Sequence, residues 1–568
     1  MTSRRRVVDH VVDFLAARGV DYIFGVDGAN IEDLYDAAHY RDGITAVLAK
    51  HEFSAATMAD GFSRATADLG VVAATSGGGS LNLIAGLGES FTSGIPVLAL
   101  VGQPPTTLDG RGSFQDTSGK GGSLDAHALF SAVSVYCRRV LTAADIVTAL
   151  PEAIAAARTG GPAVLLLPKN VQQSDVDVNG TVVPDDHPQS RPGDPRPIAQ
   201  ALRRALGPVT IIAGEQVARD NARAELEELR ATLRAWVATV PDAKDVSGSP
   251  GLGASSSLGV TGVMGHPGVA DAIRKSAVCL VVGTRLSVTA RTGLDDSLAG
   301  VRTLSIGSAP PYLPCTHVHT HDLRASLSQL TRALTGHGRP HGLRVHGPMP
   351  HTELMPPIHR GDGIRYRDAM TVLDAALPDG VDVVVDAGNT GASAIHHLPV
   401  RRAGRFVVAL GMGGMGYSFG AGIGMAFARR RRTVIVAGDG AFFMHGMELH
   451  TAIQYGLPVT VVLFNNNAHA MCVTREQLFY GDRYSYNRFT ASRLGAGLAA
   501  MFPGLPSVDV TDVGQLPGAL RAALDHDGPS VVSVECSADE MPPFAPFVDA
   551  AQQYSFEKEM MPDVAARA

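Results

Sequence analysis

The chain predicts an α/β protein of three doubly wound parallel-sheet domains, and three observations carry that expectation. Short apolar, β-branched runs alternate with amphipathic helical stretches along most of the 568 residues. Stretches dense in Pro, Gly, Asp or His interrupt the alternation and divide it into blocks. Several apolar runs end in glycine turns that lead directly into a helical stretch, which is how a βα unit looks in sequence.

The first block, 1–178, opens with a helical pattern over Val7–Ala17 and continues through strands at Tyr22–Val26, Ile44–Leu48, Gly70–Ala74, Val97–Val101 and Ala163–Leu167. A small-residue helix is expected over Ser54–Ala65. Asn179–Pro197 reads as a linker. The second block, 198–335, has strands at Val209–Ala213, Val278–Val282 and Thr303–Ile306, with a Gly/Ser-rich loop at Ser247–Ser257. A second linker covers Gly336–Pro357. The third block, 364–545, has strands at Val383–Val385, Phe406–Val408, Thr433–Ala437, Val459–Phe464 and Ser530–Glu535, with a tail at 546–568.

Bulk composition narrows the function. The chain is 45% hydrophobic and 18% charged with a formal net charge of −7, so no basic surplus points to nucleic acid. No apolar run reaches membrane-spanning length. Val7–Ala17 carries Asp9, His10 and Asp13 and is no signal-peptide core. Five scattered cysteines without a CxxC pair fit reduced thiols, and a cytoplasmic enzyme is the expectation.

The most informative segment is Gly438-Asp439-Gly440, followed after 24 residues by Asn465-Asn466. Two buried strands would bring Asp439 and Asn466 to the carboxyl edge of one sheet, beside a helix N-terminus. A carboxylate and an amide oxygen there suit a hard divalent cation holding a diphosphate. A second triplet, Gly361-Asp362-Gly363, follows Pro- and His-rich sequence and no strand, so it lacks that context.

This spacing resembles the cofactor motif of thiamine-diphosphate (ThDP) enzymes. The three blocks resemble their pyrimidine-binding, middle and diphosphate-binding domains, in the acetohydroxyacid (acetolactate) synthase and benzaldehyde lyase branch. By that resemblance Asp439, Asn466 and the carbonyl of Ala468 bind Mg²⁺. Asn389, Thr390, Gly438, Gly440 and Ala441 line the diphosphate. Met415, in Leu410-Gly411-Met412-Gly413-Gly414-Met415-Gly416, wedges the cofactor into a V, and the Gly413 carbonyl accepts from its amino group. Glu52, in Leu48-Ala49-Lys50-His51-Glu52-Phe53, matches the acid that activates the pyrimidine ring. Taken alone, Glu52 reads rather as a solvated first-turn residue favoured by the helix dipole. The motif at 438–466 tips it towards catalysis.

Other positions stay open on the sequence. Gln115, after Phe114, is a substrate contact or a surface residue. His469 is an acid–base group or a solvated loop histidine. Asn30 is a substrate donor or a helix cap. The loop Thr75–Asn82 reads as structural, with Asn82 a polar contact. Asp116–Asp125 has the glycines of a flap. Arg475 stands near a position that is Trp in the synthases. Gly262–Gly268 and Gly283-Thr284-Arg285 echo flavin-contacting regions, but Ile306-Gly307-Ser308 replaces the expected acidic cluster, so FAD is a possible cofactor and a flavin-free middle domain the preferred reading.

The function implied is decarboxylation of a 2-keto acid, pyruvate-like, with ligation to an aldehyde or keto-acid acceptor. A non-ligating decarboxylase and a flavin-linked oxidase are the alternatives. The resemblance also implies a homodimer or homotetramer with active sites between subunits.

Overall fold

The computed structural model describes residues 5–177, 191–247, 257–336, 342–344, 352–483 and 486–560, without the side chains of 554–560. Most of the two expected linkers, the Gly/Ser-rich loop over 248–256 and the end of the tail lie outside the described residues.

Three six-stranded parallel sheets, each flanked by helices, make up the fold. The first contains β1 (Tyr22–Val26), β2 (Thr45–Leu48), β3 (Gly70–Ala74), β4 (Val97–Gln103), β5 (Tyr136–Arg139) and β6 (Pro162–Pro168), in the order β2-β1-β3-β4-β6-β5. The second contains β7 (Val209–Ala213), β8 (Trp236–Thr239), β9 (Ser257–Val260), β10 (Val278–Val282), β11 (Arg302–Gly307) and β12 (Thr316–His319), in the order β12-β11-β10-β7-β8-β9. The third contains β13 (Asp382–Val385), β14 (Phe406–Val408), β15 (Thr433–Gly438), β16 (Val459–Asn465), β17 (Ser507–Val510) and β18 (Ser530–Glu535), in the order β14-β13-β15-β16-β18-β17.

The first and third sheets thus share one strand order, and the middle sheet has another. In each, the order reverses beside its first strand, which opens a crevice at the carboxyl edge. The inner strands are Val-, Leu- and Ile-rich and buried along their whole length, as β4, β6 and β16 illustrate. Helices on both faces require that composition. Each such side chain contributes roughly 1.5–3 kcal/mol when fully buried. Strands β5, β8, β9, β12 and β17 are the ones sequence patterning missed. All have only four residues, and polar, charged or small residues interrupt the apolar, β-branched run in each.

The chain forms two compact units. One comprises Met1–Gln189, Ala409–Thr433 and Phe443–Val459; the other comprises Ser190–Val408, Val434–Phe442 and Thr460–Ala568. In the first unit, the helix Glu52–Thr66 packs tightly on the helix Tyr417–Arg429. Glycines permit the close crossing: a Cβ on Gly420 would fall 2.0 Å from Thr57 Oγ1, and one on Gly424 would fall 2.0 Å from the Met58 carbonyl oxygen.

Candidate active site

In the first unit Glu52 begins the helix that follows β2. His51 caps that helix, its Nδ1 accepting from the Phe53 N–H at 3.0 Å. Glu52 is half-buried, and its Oε2 accepts from Asn82 Nδ2 at 2.9 Å. Asn82 belongs to the helix Gly78–Ser93, which starts inside the glycine-rich turn after β3. A Cβ on Gly79 would lie 3.0 Å from Glu52 Oε1, so the absent side chain leaves room for the carboxylate. Asn82 therefore does make the polar contact expected of it.

The segment bearing Gly413 and Met415 belongs to the same unit. Its amides at Gly411 and Met412 donate to the Glu89 carboxylate at 3.2 and 2.6 Å. Glu89 is buried, pairs with Arg64 at 3.4 Å and accepts from Ser93. Arg64 also pairs with Asp60 at 2.6 Å, whose carboxylate accepts from Ser90 and the Tyr417 hydroxyl. Burying three charges together is tolerable because each has ionic and hydrogen-bond partners. Gly413 has φ +66°, and Met415 is half-buried at the end of the loop. Phe53 lies under Gly414, and the His445 ring stacks on Phe53 at 4.2 Å. Burial lowers the His445 imidazole to about 4.

Gln115 adopts φ +58°, uncommon for a residue with a side chain. Its Oε1 lies 3.3 Å from Thr75 Oγ1, against the loop after β3. Asn30 caps no helix. It is buried and donates through Nδ2 to Ser76 at 2.8 Å, tying the turn after β1 to the turn after β3. The segment at Asp116–Asp125 is a closed loop, with Gly119 N–H donating to the Leu124 carbonyl and Ala126 N–H to that of Thr117.

In the second unit the carboxyl ends of β13, β15 and β16 carry the other predicted set. Gly438 ends β15 and Asp439 begins the helix Asp439–His445, in which Gly440 and Ala441 are buried. Asp439 is 1% exposed. Its Oδ2 accepts from the Ala468 N–H at 3.2 Å, and Oδ1 has no hydrogen-bond partner among the described residues. Burial pushes this carboxyl up to about 6, against backbone N–H groups that pull it down. Asn466 lies just past β16. Its Nδ2 donates to the Tyr366 hydroxyl at 2.9 Å, and its Oδ1 is likewise without a partner.

Ala468 forms an antiparallel bridge with Arg488, held by the His469 and Phe489 amides on either side. That pattern turns the N–H and C=O of Ala468 to the opposite edge, the edge from which its N–H reaches Asp439. Asn389 and Thr390 open the helix Asn389–His397, after Gly388 at φ +96°. Asn389 Nδ2 donates to the Glu540 carbonyl at 3.3 Å, so the free donors here are the backbone N–H groups of the first turn. His469 has a buried, unpartnered Nδ1 and meets the edge of Phe489 at 4.7 Å. Arg475 is exposed on the helix Ala470–Phe479, 5.8 Å from the Phe547 ring.

Two bare oxygens, a carboxylate and an amide, thus lie just past the adjacent strands β15 and β16, with the Ala468 backbone in contact with the carboxylate. This donor set fits a hard cation that shares its shell with phosphate oxygens. Glu353, His396 and His397 also cluster within 4.8 Å. However, His396 has both ring nitrogens engaged, Nδ1 with the Met264 carbonyl at 3.0 Å and Nε2 with the Leu354 N–H at 3.1 Å, which marks a structural role.

Beside the switch point of the middle sheet, the side chain of Gln216 bridges the loops that follow β11 and β12. Gln216 Oε1 accepts from the Ser308 N–H at 2.7 Å, and its Nε2 donates to Asp220 and to the Thr320 carbonyl. The Gln216 side chain also lies against Gly283 and Gly307.

The sequence reading missed Tyr366, Glu540, His445 and the Asp60–Arg64–Glu89 network. Tyr366, Glu540 and His445 carry no local signal, because each acts on a partner far along the chain; in the network only the Asp60–Arg64 pair, four residues apart on one helix, is local.

Family models place these elements among known proteins. Residues 5–122 match the thiamine pyrophosphate enzyme N-terminal TPP-binding domain, 196–329 its central domain and 386–534 its C-terminal TPP-binding domain. The chain is 30% identical over 552 residues to the acetolactate synthase isozyme 2 large subunit of Escherichia coli (strain K12), covering 95% of this chain and 96% of that one. It is 27% identical to the acetolactate synthase of Arthrospira platensis, over 93% and 94% of the two chains. It is also 27% identical to a probable acetolactate synthase large subunit of Methanocaldococcus jannaschii, over 94% and 93%. The chain belongs to the thiamine pyrophosphate enzyme family, in its acetolactate synthase branch.

Proposed function

We propose that this chain is a Mg²⁺-requiring, ThDP-dependent carboligase that decarboxylates a 2-keto acid such as pyruvate and joins the remainder to an aldehyde or keto-acid acceptor. The observation that carries the metal–diphosphate half is the pair of unpartnered oxygens on Asp439 and Asn466, just past the adjacent strands β15 and β16 of the third sheet. The acetolactate synthase relatives support the ligation half.

When bound, ThDP provides the electron sink for losing CO₂. This chain's residues bind and orient it. Asp439, Asn466 and the Ala468 carbonyl hold the cation. The first-turn amides of the helix Asn389–His397, with Thr390, Gly438, Gly440 and Ala441, receive the diphosphate. Glu52, its carboxylate steadied by Asn82, would hold or give a proton at the pyrimidine ring nitrogen. Met415 would pack against the bound cofactor, and the Gly413 carbonyl would accept from its amino group. Gln115 and His469 face substrate.

Flavin is no part of the proposed reaction, Ile306-Gly307-Ser308 standing where an acidic cluster is expected. The three sheets correspond to domains at 1–178, 198–335 and 364–545. The functional unit is a homodimer or homotetramer in which Glu52 of one chain serves the cation site of its partner. Exposed Phe443, Met444 and Met447 on one short segment support such a buried interface. Five free cysteines support a reducing, cytoplasmic setting, and no helix of the described residues is long and apolar enough to cross a membrane.

A panel of 2-keto acids incubated with ThDP and Mg²⁺, with and without added acceptor, tests the function. Release of CO₂ together with a ligated acyloin or acetohydroxy acid is expected. Aldehyde as the sole product would overturn ligation, and a yellow, oxygen-consuming protein would point to the oxidase.

A further inference from the structure

Tyr366 opens the helix Tyr366–Ala376 and is 1% exposed. Its ring lies 5.7 Å from that of Phe464. Its backbone N–H is held by both carboxylate oxygens of Glu540, each at 3.0 Å. Its hydroxyl accepts from Asn466 Nδ2 at 2.9 Å, with Cys536 Sγ at 4.0 Å. A carboxamide has one donor end and one acceptor end. Tying the NH₂ end to a buried phenol turns the carbonyl end away from it, and Asn466 Oδ1 is the end left bare.

We propose that Tyr366 is a positioning residue for the divalent cation: its hydroxyl holds the Asn466 amide with Oδ1 towards the ion, and Glu540 holds Tyr366 in register. The inference rests on reading Asp439 and Asn466 as metal ligands. A cation takes lone pairs only, so a rotated amide would present hydrogens to it and cease to be a ligand. Asp439 needs no such device, because a carboxylate offers oxygen at both ends and the Ala468 N–H occupies only one. Partners behind a ligand commonly act in this way, by fixing its orientation.

Mn²⁺ replaces Mg²⁺ as the probe. Free Mn²⁺ is followed by electron paramagnetic resonance as the full-length chain is titrated in the presence of ThDP. Tyr366→Phe should raise the Mn²⁺ Kd by about 10–100-fold, the usual cost of losing an orienting partner. In an Asn466→Asp background the same change should matter little, because both oxygens of the new carboxylate are acceptors. Equal losses in the two backgrounds would mean that Tyr366 acts only through packing, and would overturn the inference. So would unchanged or tighter binding by Tyr366→Phe in the native background, the latter meaning that the amide is turned the other way.

If Tyr366→Phe does not fold, Glu540→Gln loosens the backbone hold while keeping the phenol. A smaller rise in Kd supports the inference and an unchanged Kd overturns it. Asp439→Ala separates the levels. If that variant binds Mn²⁺ normally, the metal reading itself fails; if it abolishes binding while Tyr366→Phe is silent, only the role of Tyr366 fails.

Discussion

Glu52 and Asp439 each begin a helix that follows a parallel strand, yet their surroundings differ. Glu52 is half-buried, with one oxygen on Asn82 and its neighbour His51 serving as the cap. Around it the buried charges are paired: Asp60, Arg64 and Glu89 satisfy one another and the loop amides at 411–412. Asp439 is fully buried and has an oxygen with no partner, and so do its neighbours Asn466 and Asn389. In one region the buried charges are paired and the acid is left open to approach. The other is incomplete in a way that a cation would repair. The same local frame therefore yields a proton-exchanging group in one place and a ligand in the other, and the neighbours make the difference.

The largest effect that would sharpen this contrast is on turnover. Glu52→Gln should lower kcat by about 10²–10⁴-fold, the usual range for a general acid–base group. ThDP affinity measured by calorimetry should stay within a few-fold, and an unchanged kcat would break the assignment. Asp439→Ala should have the opposite signature. Magnesium-dependent ThDP binding should weaken by about 100-fold or more, since a ligand contributes more than the partners that orient it. Calorimetry with and without Mg²⁺ reads this directly.

The second unit should also be the more acid-sensitive around His396. Burial lowers that imidazole to about 4, with the Met264 carbonyl opposing the shift, and His397, Glu353, Lys244 and the stacked His266 surround it. The unfolded chain, titrating near its ordinary 6.5, binds more protons between those values. Stability from this group is therefore complete above about pH 6.5 and is lost as pH falls towards 4. Between pH 7 and 5 the loss is about 2 kcal/mol, and His396→Asn should remove that share of the slope in urea unfolding. The smallest effect belongs to Asn82→Ala. Losing one hydrogen bond to a carboxylate, about 1.5–3 kcal/mol, should reduce kcat roughly tenfold while the Mn²⁺ Kd stays unchanged.

Much of this was legible in the chain. The strands β1, β3, β4, β7, β10, β15, β16 and β18 stand out as apolar runs, and the turns at 438–440 and 386–390 lie at strand ends as expected. The triplet at 361–363 indeed lies outside any strand. Strands β5, β8, β9, β12 and β17 were not legible, nor were the contacts of Gln216, which depend on Ser308 and Thr320 arriving from about 100 residues away. Asn30 stays open in the sequence between a substrate donor and a helix cap, because a residue at a turn before a helix often caps it. Here the neighbouring turn after β3 claims its side chain.

The sequence by itself determined the alternation of strand and helix, the glycine turns and the chemical kinds of residue at the strand ends. Those follow from period and local backbone freedom, which reach only a few residues. Tertiary structure decided which oxygen stays bare and which amide end faces inward. The Tyr366–Asn466, Asp439–Ala468 and Glu89–Met412 contacts join residues 100, 29 and 323 positions apart, and no local pattern can encode the direction of a hydrogen bond between groups that meet only when the sheets are assembled.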